Sequence, residues 1–150
     1  MADVHDQATR SRNMAAIRGS HTKPELMIRK ALHAAGFRFR LHVRDLPGKP
    51  DLVLPKYHAV IFVNGCFWHH HDCHLFRWPA TREPFWREKI GRNVANDAKT
   101  NAALHEDGWR IATVWECALK GKTRLTPATL IEKLTAWLRS ENDSLTIRGT

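Results

Sequence analysis

The chain has 150 residues, 43% of them hydrophobic and 26% charged, which suits one folded domain with one core. Its longest apolar run, Ala59 to Val63, is far short of the ~20 residues of a membrane-spanning helix, and Met1 to Arg12 lacks the apolar centre of a signal peptide, so a cytoplasmic protein with no membrane role is expected. Lysine and arginine number 24 against 15 aspartates and glutamates; the formal charge of +9 attracts polyanions and favours nucleic acid over the other partners of basic proteins.

Residues 1–20 are polar, with Arg10, Arg12 and Arg18 and a short apolar set of Met14, Ala15 and Ile17. They read either as a frayed arm or as an arm that orders against DNA. Thr22-Lys23-Pro24-Glu25 is a helix start, with Thr22 as cap and Glu25 at the capping-box position; this helix stops at Gly36. Phe37 to Leu41 alternates apolar and basic as a strand does, and Leu46-Pro47-Gly48-Lys49-Pro50 is a turn. Asp51–Leu54 and His58–Val63 read as neighbouring strands, the second apolar enough to be central.

A long helix is expected from Glu83 to His105, with Trp86, Ile90 and Val94 at i+4 and a polar face of Lys89, Asn93 and Asn96. Gly108 ends it, and Trp109–Trp115 gives another strand. Thr126-Pro127 starts a last helix that buries Leu130, Leu134 and Leu138. The expected organisation is an arm over 1–20, an α/β domain over 21–140 with a few buried strands flanked by helices, and a flexible tail over 141–150.

Three cysteines cannot all pair within one chain, so thiols or metal ligands are the better reading. Cys66, His71 and Cys73 lie within eight residues, and Cys117 follows a strand end. Together they offer three thiolates and an imidazole, a closed zinc set. Buried thiols beside a polar loop are the alternative, and spacing does not choose among His69, His70, His71 and His74. Pro50-Asp51 at a strand start, with Glu25 on the preceding helix, offers hard oxygen ligands of the kind magnesium takes; a structural cap at each position is the simpler alternative. Two consecutive aromatics, Phe67-Trp68, cannot both point inward from a regular strand. In a basic protein they suit a wedge into a base step.

Taken together, these residues resemble the very short patch repair (Vsr) endonuclease family. The likeness runs from about Arg10 to Leu138 and is most specific at Cys66-Phe67-Trp68-His69-His70-His71, at Phe85-Trp86 with Glu88-Lys89-Ile90-Gly91, and at Trp109-Arg110 leading to Val114-Trp115-Glu116-Cys117-Ala118-Leu119. The resemblance implies a restriction-endonuclease-like fold with a central mixed sheet and a structural zinc site, and an enzyme that nicks double-stranded DNA 5′ of the thymine of a T:G mismatch; one mismatch has no two-fold symmetry, so a monomer is expected. It implies catalytic Mg2+ on Asp51 and the Val63 carbonyl, His69 as general base and Glu25 supporting the water or metal shell. It further implies structural Zn2+ on Cys66, His71, Cys73 and Cys117, and intercalation by Phe67, Trp68 and Trp86. Met14 and Ile17 match a segment that grips the opened duplex, Lys89 and Asn93 match residues near the mismatch, and mismatch-repair proteins are the protein partners the family suggests. The pattern departs at Val63-Asn64, where the family typically has Thr-His; Asn64 keeps a hydrogen-bond donor in place of the imidazole. The competing classes are a zinc-stabilised DNA-binding module without catalysis and a nuclease of matched DNA.

Overall fold

The computed structural model describes residues 23–150. The arm over 1–20, with Met14 and Ile17, and the capping residue Thr22 lie outside the described residues. Helix α1 spans Lys23–Ala34 and buries Ile28 and Leu32 at i+4. It ends at Gly36, whose φ of 95° lets the amides of Gly36 and Phe37 turn back onto His33 O and Leu32 O. Phe37 is buried by this turn, so the expected strand is shortened to β1, Arg40–Leu41. His42, at φ 49°, bends the chain out of that edge strand.

Strand β2, Leu52–Leu54, pairs antiparallel with β1 and with β3, Ala59–Asn64. The long helix α2, Glu83–Glu106, crosses over to β4, Arg110–Trp115, which lies parallel to β3 with Asn64 opposite Trp115. Helix α3, Pro127–Leu138, opens with the Thr126 hydroxyl accepting from Thr129 N and buries Leu130, Leu134 and Leu138. With Ser144–Ile147 as β5, the five strands lie in the order β1-β2-β3-β4-β5, a mixed sheet. One core joins α1 and α3 to Leu52, Leu54, Ile61, Ala112 and Val114; a second joins Leu104 of α2 to Val53, Val60 and Ile111 on the opposite face. The alternation along each strand therefore feeds both faces, which is the α/β layering the sequence implies.

The expected flexible tail over 141–150 is corrected by the structure. Ser144–Ile147 forms β5, parallel to β4, and Ile147 is buried. Leu145 and Ile147 alternate toward the core, so this short segment covers the edge that β4 would otherwise leave open. Arg110 fixes the approach: its guanidinium donates to the carbonyls of Trp137, Leu138, Ser140 and Asn142, tying the end of α3 to the sheet. No helix among the described residues is long and apolar enough to cross a membrane.

Candidate active site and metal centre

Because β3 and β4 are parallel and in register, they deliver their C-terminal ends to one place. Cys66 leaves β3 two residues after Asn64, and Cys117 leaves β4 two residues after Trp115. The two sulfurs meet there, Cys117 N donating to Cys66 Sγ at 3.3 Å. The loop after Cys66 coils back through His71 N to Cys66 O and Cys73 N to His71 O. It brings His71 Nδ1 to 3.5 Å from both Cys66 Sγ and Cys117 Sγ. With Cys73, all four donor atoms lie within 4.8 Å of one another, and none of the cysteines is in a disulfide. Burial, with the neighbouring thiols, pushes the Cys66 thiol well up, and burial holds His71 below its ordinary value. The uncharged forms of Cys66 and His71 are thus favoured until a cation supplies the compensating charge, and the four donors together could bind a metal ion.

Around this cluster, Cys66, His71 and Cys117 are each held from outside. Glu116 Oε1 accepts from Cys66 N at 3.2 Å, and Trp115 stacks on the His71 ring at 4.1 Å. The C-terminal residues close the far side: Gly149 N donates to Cys117 Sγ at 3.3 Å, and Arg148 donates to the Asp72 carboxylate at 2.7 Å. That guanidinium holds the Asp72 carboxyl below the usual carboxylate range.

A second cluster sits across β2 and β3. Asp51, just ahead of β2, accepts from Val63 N through Oδ2 at 2.6 Å. Burial pushes its pKa up to about 7, opposed by the Val63 amide and reinforced by Glu25. The Glu25 side chain is fully buried on α1; its Oε1 lies 2.8 Å from an Arg29 nitrogen and 2.8 Å from His42 Nε2. Asp51 opens into a cleft of about 740 Å³ whose walls include Asn64, Phe67, Trp68 and His69, with Lys23, Arg44, Lys49 and Lys120 among its lining.

His69 is one turn of the loop from the sulfur cluster and faces this cleft. Its Nδ1 lies 2.5 Å from Asp97 Oδ2 on α2. One helical turn earlier, Asn93 Nδ2 donates to Trp68 O at 3.0 Å. Phe67, Trp68 and Trp86 pack ring on ring, with centroids 5.2 to 5.9 Å apart. All three are half-buried, so they form one aromatic cluster on the loop and the start of α2.

The structure brings together nearly every expected residue among those it describes: Cys66, His71, Cys73 and Cys117 in one cluster; Asp51, Val63 and His69 around one cleft, with Glu25 buried behind His42; Phe67, Trp68 and Trp86 beside it. Lys89 and Asn93 lie one turn apart on the same face of α2. Sequence reasoning missed Asp97, His42 and Glu116. Asp97 had a signal, since Lys89, Asn93 and Asp97 repeat at i+4, whereas Asn96, taken as part of that face, is exposed. His42 had none beyond its residue type, because its role comes from the β1–β2 pairing.

Comparison with known proteins gives the family. Residues 2–75 match the family model described as DNA mismatch endonuclease Vsr. The chain is 50% identical over 147 residues to the DNA mismatch endonuclease Vsr of Escherichia coli (strain K12), covering 98% of this chain and 94% of that protein. It is 48% identical over 106 residues to the type II nicking enzyme V.XorIIP of Xanthomonas oryzae pv. oryzae, covering 71% of this chain and 78% of that one. To the type II nicking enzyme V.NmeAIP of Neisseria meningitidis serogroup A it is 39% identical over 145 residues, covering 97% and 100% of the two chains. With the site's geometry and a relative of this identity over nearly its whole length, the chain belongs to the Vsr family of DNA mismatch endonucleases.

Proposed function

We propose that the protein nicks one strand of double-stranded DNA 5′ of the thymine in a T:G mismatch, within a specific sequence context, by magnesium-dependent hydrolysis, and so starts very short patch repair. The observation that carries this reading is that one cleft holds a half-buried carboxylate, Asp51, an Asp-supported imidazole, His69, and the aromatic pair Phe67-Trp68. A pure binding module has no use for the first two. The mixed sheet with helices on both faces supports a restriction-endonuclease-like fold for it.

The residues fit both metals. Zinc held by sulfur and nitrogen at about 2.0–2.3 Å sets its ligands roughly 3.5 Å apart, the spacing found between His71 Nδ1 and two sulfurs. It would pin the loop that carries His69 and the wedge. Magnesium suits the Asp51 carboxylate with the Val63 carbonyl, and Glu25 supporting the surrounding water. When bound it polarises the scissile phosphate and stabilises the leaving oxygen.

The chain's own residues supply the rest. The Asp97 carboxylate only accepts, so His69 carries its proton on Nδ1 and keeps Nε2 free to take one from the attacking water. Asn93 holds the Trp68 carbonyl and so the wedge's frame. Phe67, Trp68 and Trp86 enter at the mismatch, where a wobble pair stacks less well and opening costs less. Lys89 and Asn93 lie toward the mismatched pair, and Met14 and Ile17 of the 1–20 arm grip the opened duplex. The basic residues of the cleft neutralise backbone phosphates. One mismatch has no two-fold symmetry, which supports a monomer. A cytoplasmic location follows from the substrate, and mismatch-repair proteins are the partners this task suggests.

The test is nicking of an end-labelled T:G duplex with magnesium by the wild type and by Asp51→Ala. Nicking by the wild type alone is expected. Equal binding with no nicking by either protein would leave the binding-module reading.

A further inference from the structure

We propose that Lys120 is a DNA-contacting residue, its ammonium holding a backbone phosphate of the thymine-bearing strand, and that Glu116 positions it; this rests on the reading of the cleft as the nicking site. The fold places the pair. Glu116 and Lys120 both line the cleft into which Asp51 opens. In the turn that follows β4, Lys120 N donates to Glu116 O at 3.0 Å, which sets the two side chains one turn apart. Lys120 Nζ lies 2.8 Å from Glu116 Oε2. The other carboxylate oxygen, Oε1, accepts from Cys66 N at 3.2 Å. Cys66 is fully buried at the start of the loop that carries His69, so the carboxylate is anchored to that loop's backbone.

The charges of the cleft point to a phosphate as the ligand. Three carboxylates line it among the described residues, Asp51, Asp97 and Glu116, although its substrate is a polyanion. Asp97 is taken up by the His69 ring, and Asp51 is read as the cation ligand. Glu116 would repel the backbone unless neutralised, and Lys120 neutralises it. An i,i+4 ion pair with the ammonium 60% exposed contributes little to stability, so the fold has small need of it. What the pair does is hold a flexible four-carbon chain in place. An ammonium has three N–H donors, and one suffices for Glu116. A lysine already tethered loses less side-chain entropy when a phosphate fixes it. Sheet order supplies the direction. Arg44 and Lys49 line the cleft from the chain between β1 and β2, whereas Lys120 follows β4, on the other side of β3. A strand cut beside Asp51 and His69 thus meets cations on both sides, and Lys120 shares a frame with His69.

The experiment compares full-length wild type, Lys120→Ala, Lys120→Arg and Glu116→Gln, with DNA affinity measured without divalent metal over about 50–200 mM salt. A phosphate contact carries no sequence information, so Lys120→Ala should weaken T:G and T:A binding alike, by about fivefold at the lower salt. It should also lower the slope of log affinity against log salt by about 0.9, and Lys120→Arg should keep the slope. One uncharged methylphosphonate in the thymine-bearing strand should cost wild type about as much, and Lys120→Ala almost nothing further. Glu116→Gln keeps an acceptor for Cys66 N but releases the ammonium. It should bind DNA at least as tightly as wild type, keep the wild-type zinc content, and nick about tenfold more slowly at saturation. An unchanged salt slope in Lys120→Ala, a reduced slope in Lys120→Arg, or additive losses at every phosphate of that strand would overturn the contact. Weaker DNA binding, zinc loss or wild-type nicking in Glu116→Gln would overturn the positioning role. Wild type that binds T:G DNA without nicking it would overturn the proposed function alone, because affinity reads Lys120 without turnover.

Discussion

His69 Nδ1 and Asp97 Oδ2 lie 2.5 Å apart, joining the loop after β3 to the middle of α2. This contact fixes the tautomer and orientation of the proposed base from an element that the loop itself does not contain. A positioned base contributes about 10²–10⁴-fold to such a reaction. Asp97→Asn is therefore expected to slow single-turnover nicking by about 10²-fold while leaving T:G binding in a gel-shift assay within about twofold. Nicking at the wild-type rate would remove Asp97 from the mechanism.

Asp51 gives the clearest pH dependence. Its folded pKa of about 7 stands above the ordinary 3.8 because it is buried. Between those values the folded state holds a proton that the unfolded state has released. Stability from this group is therefore complete below about pH 4, is lost as pH rises toward 7, and levels off above it. A shift of this size amounts to at most ~4 kcal/mol, less what local water penetration relieves. Asp51→Asn should remove the slope, leaving the metal-free variant about 2 kcal/mol more stable than wild type at pH 8 by urea unfolding. Parallel wild-type and variant curves from pH 5 to pH 8 would contradict this.

The sulfur cluster predicts coupling between metal content and the C-terminal residues. Purified protein should carry about one zinc, and strong chelation should lower its melting temperature. A Cβ at Gly149 would overlap Thr123 Oγ1 and Cys117 O, and Gly149 N is the donor to Cys117 Sγ. Gly149→Ala should therefore speed zinc release, read with a chromogenic chelator, by about 10-fold or more. Release at the wild-type rate would show that the closing segment does not support the metal.

The aromatic trio predicts a change in discrimination more than in fold. Trp68 is half-buried, and base stacking on such a ring contributes about 1–3 kcal/mol. Trp68→Ala is expected to weaken T:G binding about tenfold and T:A binding far less, with the melting temperature nearly kept. Equal losses on both duplexes would assign Trp68 to packing.

Much of this was legible in sequence, for identifiable reasons. Leu130, Leu134 and Leu138 recur at helical spacing, and Gly36 stops α1 through a positive φ that sequence chemistry anticipates. The four sulfur and imidazole donors are few and chemically distinctive, so the family likeness could assign them. What was not legible depends on tertiary pairing. Ser144–Ile147 has only four residues, and its strand character comes from the open edge of β4. The bend at His42 cut the strand begun at Phe37 and placed the imidazole against Glu25, which no local pattern announces. Asp97 was one residue from the face drawn for α2, a matter of choosing i+4 over i+3 from Asn93.

The central claim is mismatch-directed hydrolysis, and initial nicking rates on paired T:G and T:A duplexes, with magnesium and with the metal withheld, test it most directly. The account predicts a single cut 5′ of the mismatched thymine, seen only with T:G and magnesium and absent in Asp51→Ala. Equal rates on T:G and T:A, or cutting that persists without a divalent ion, would contradict it.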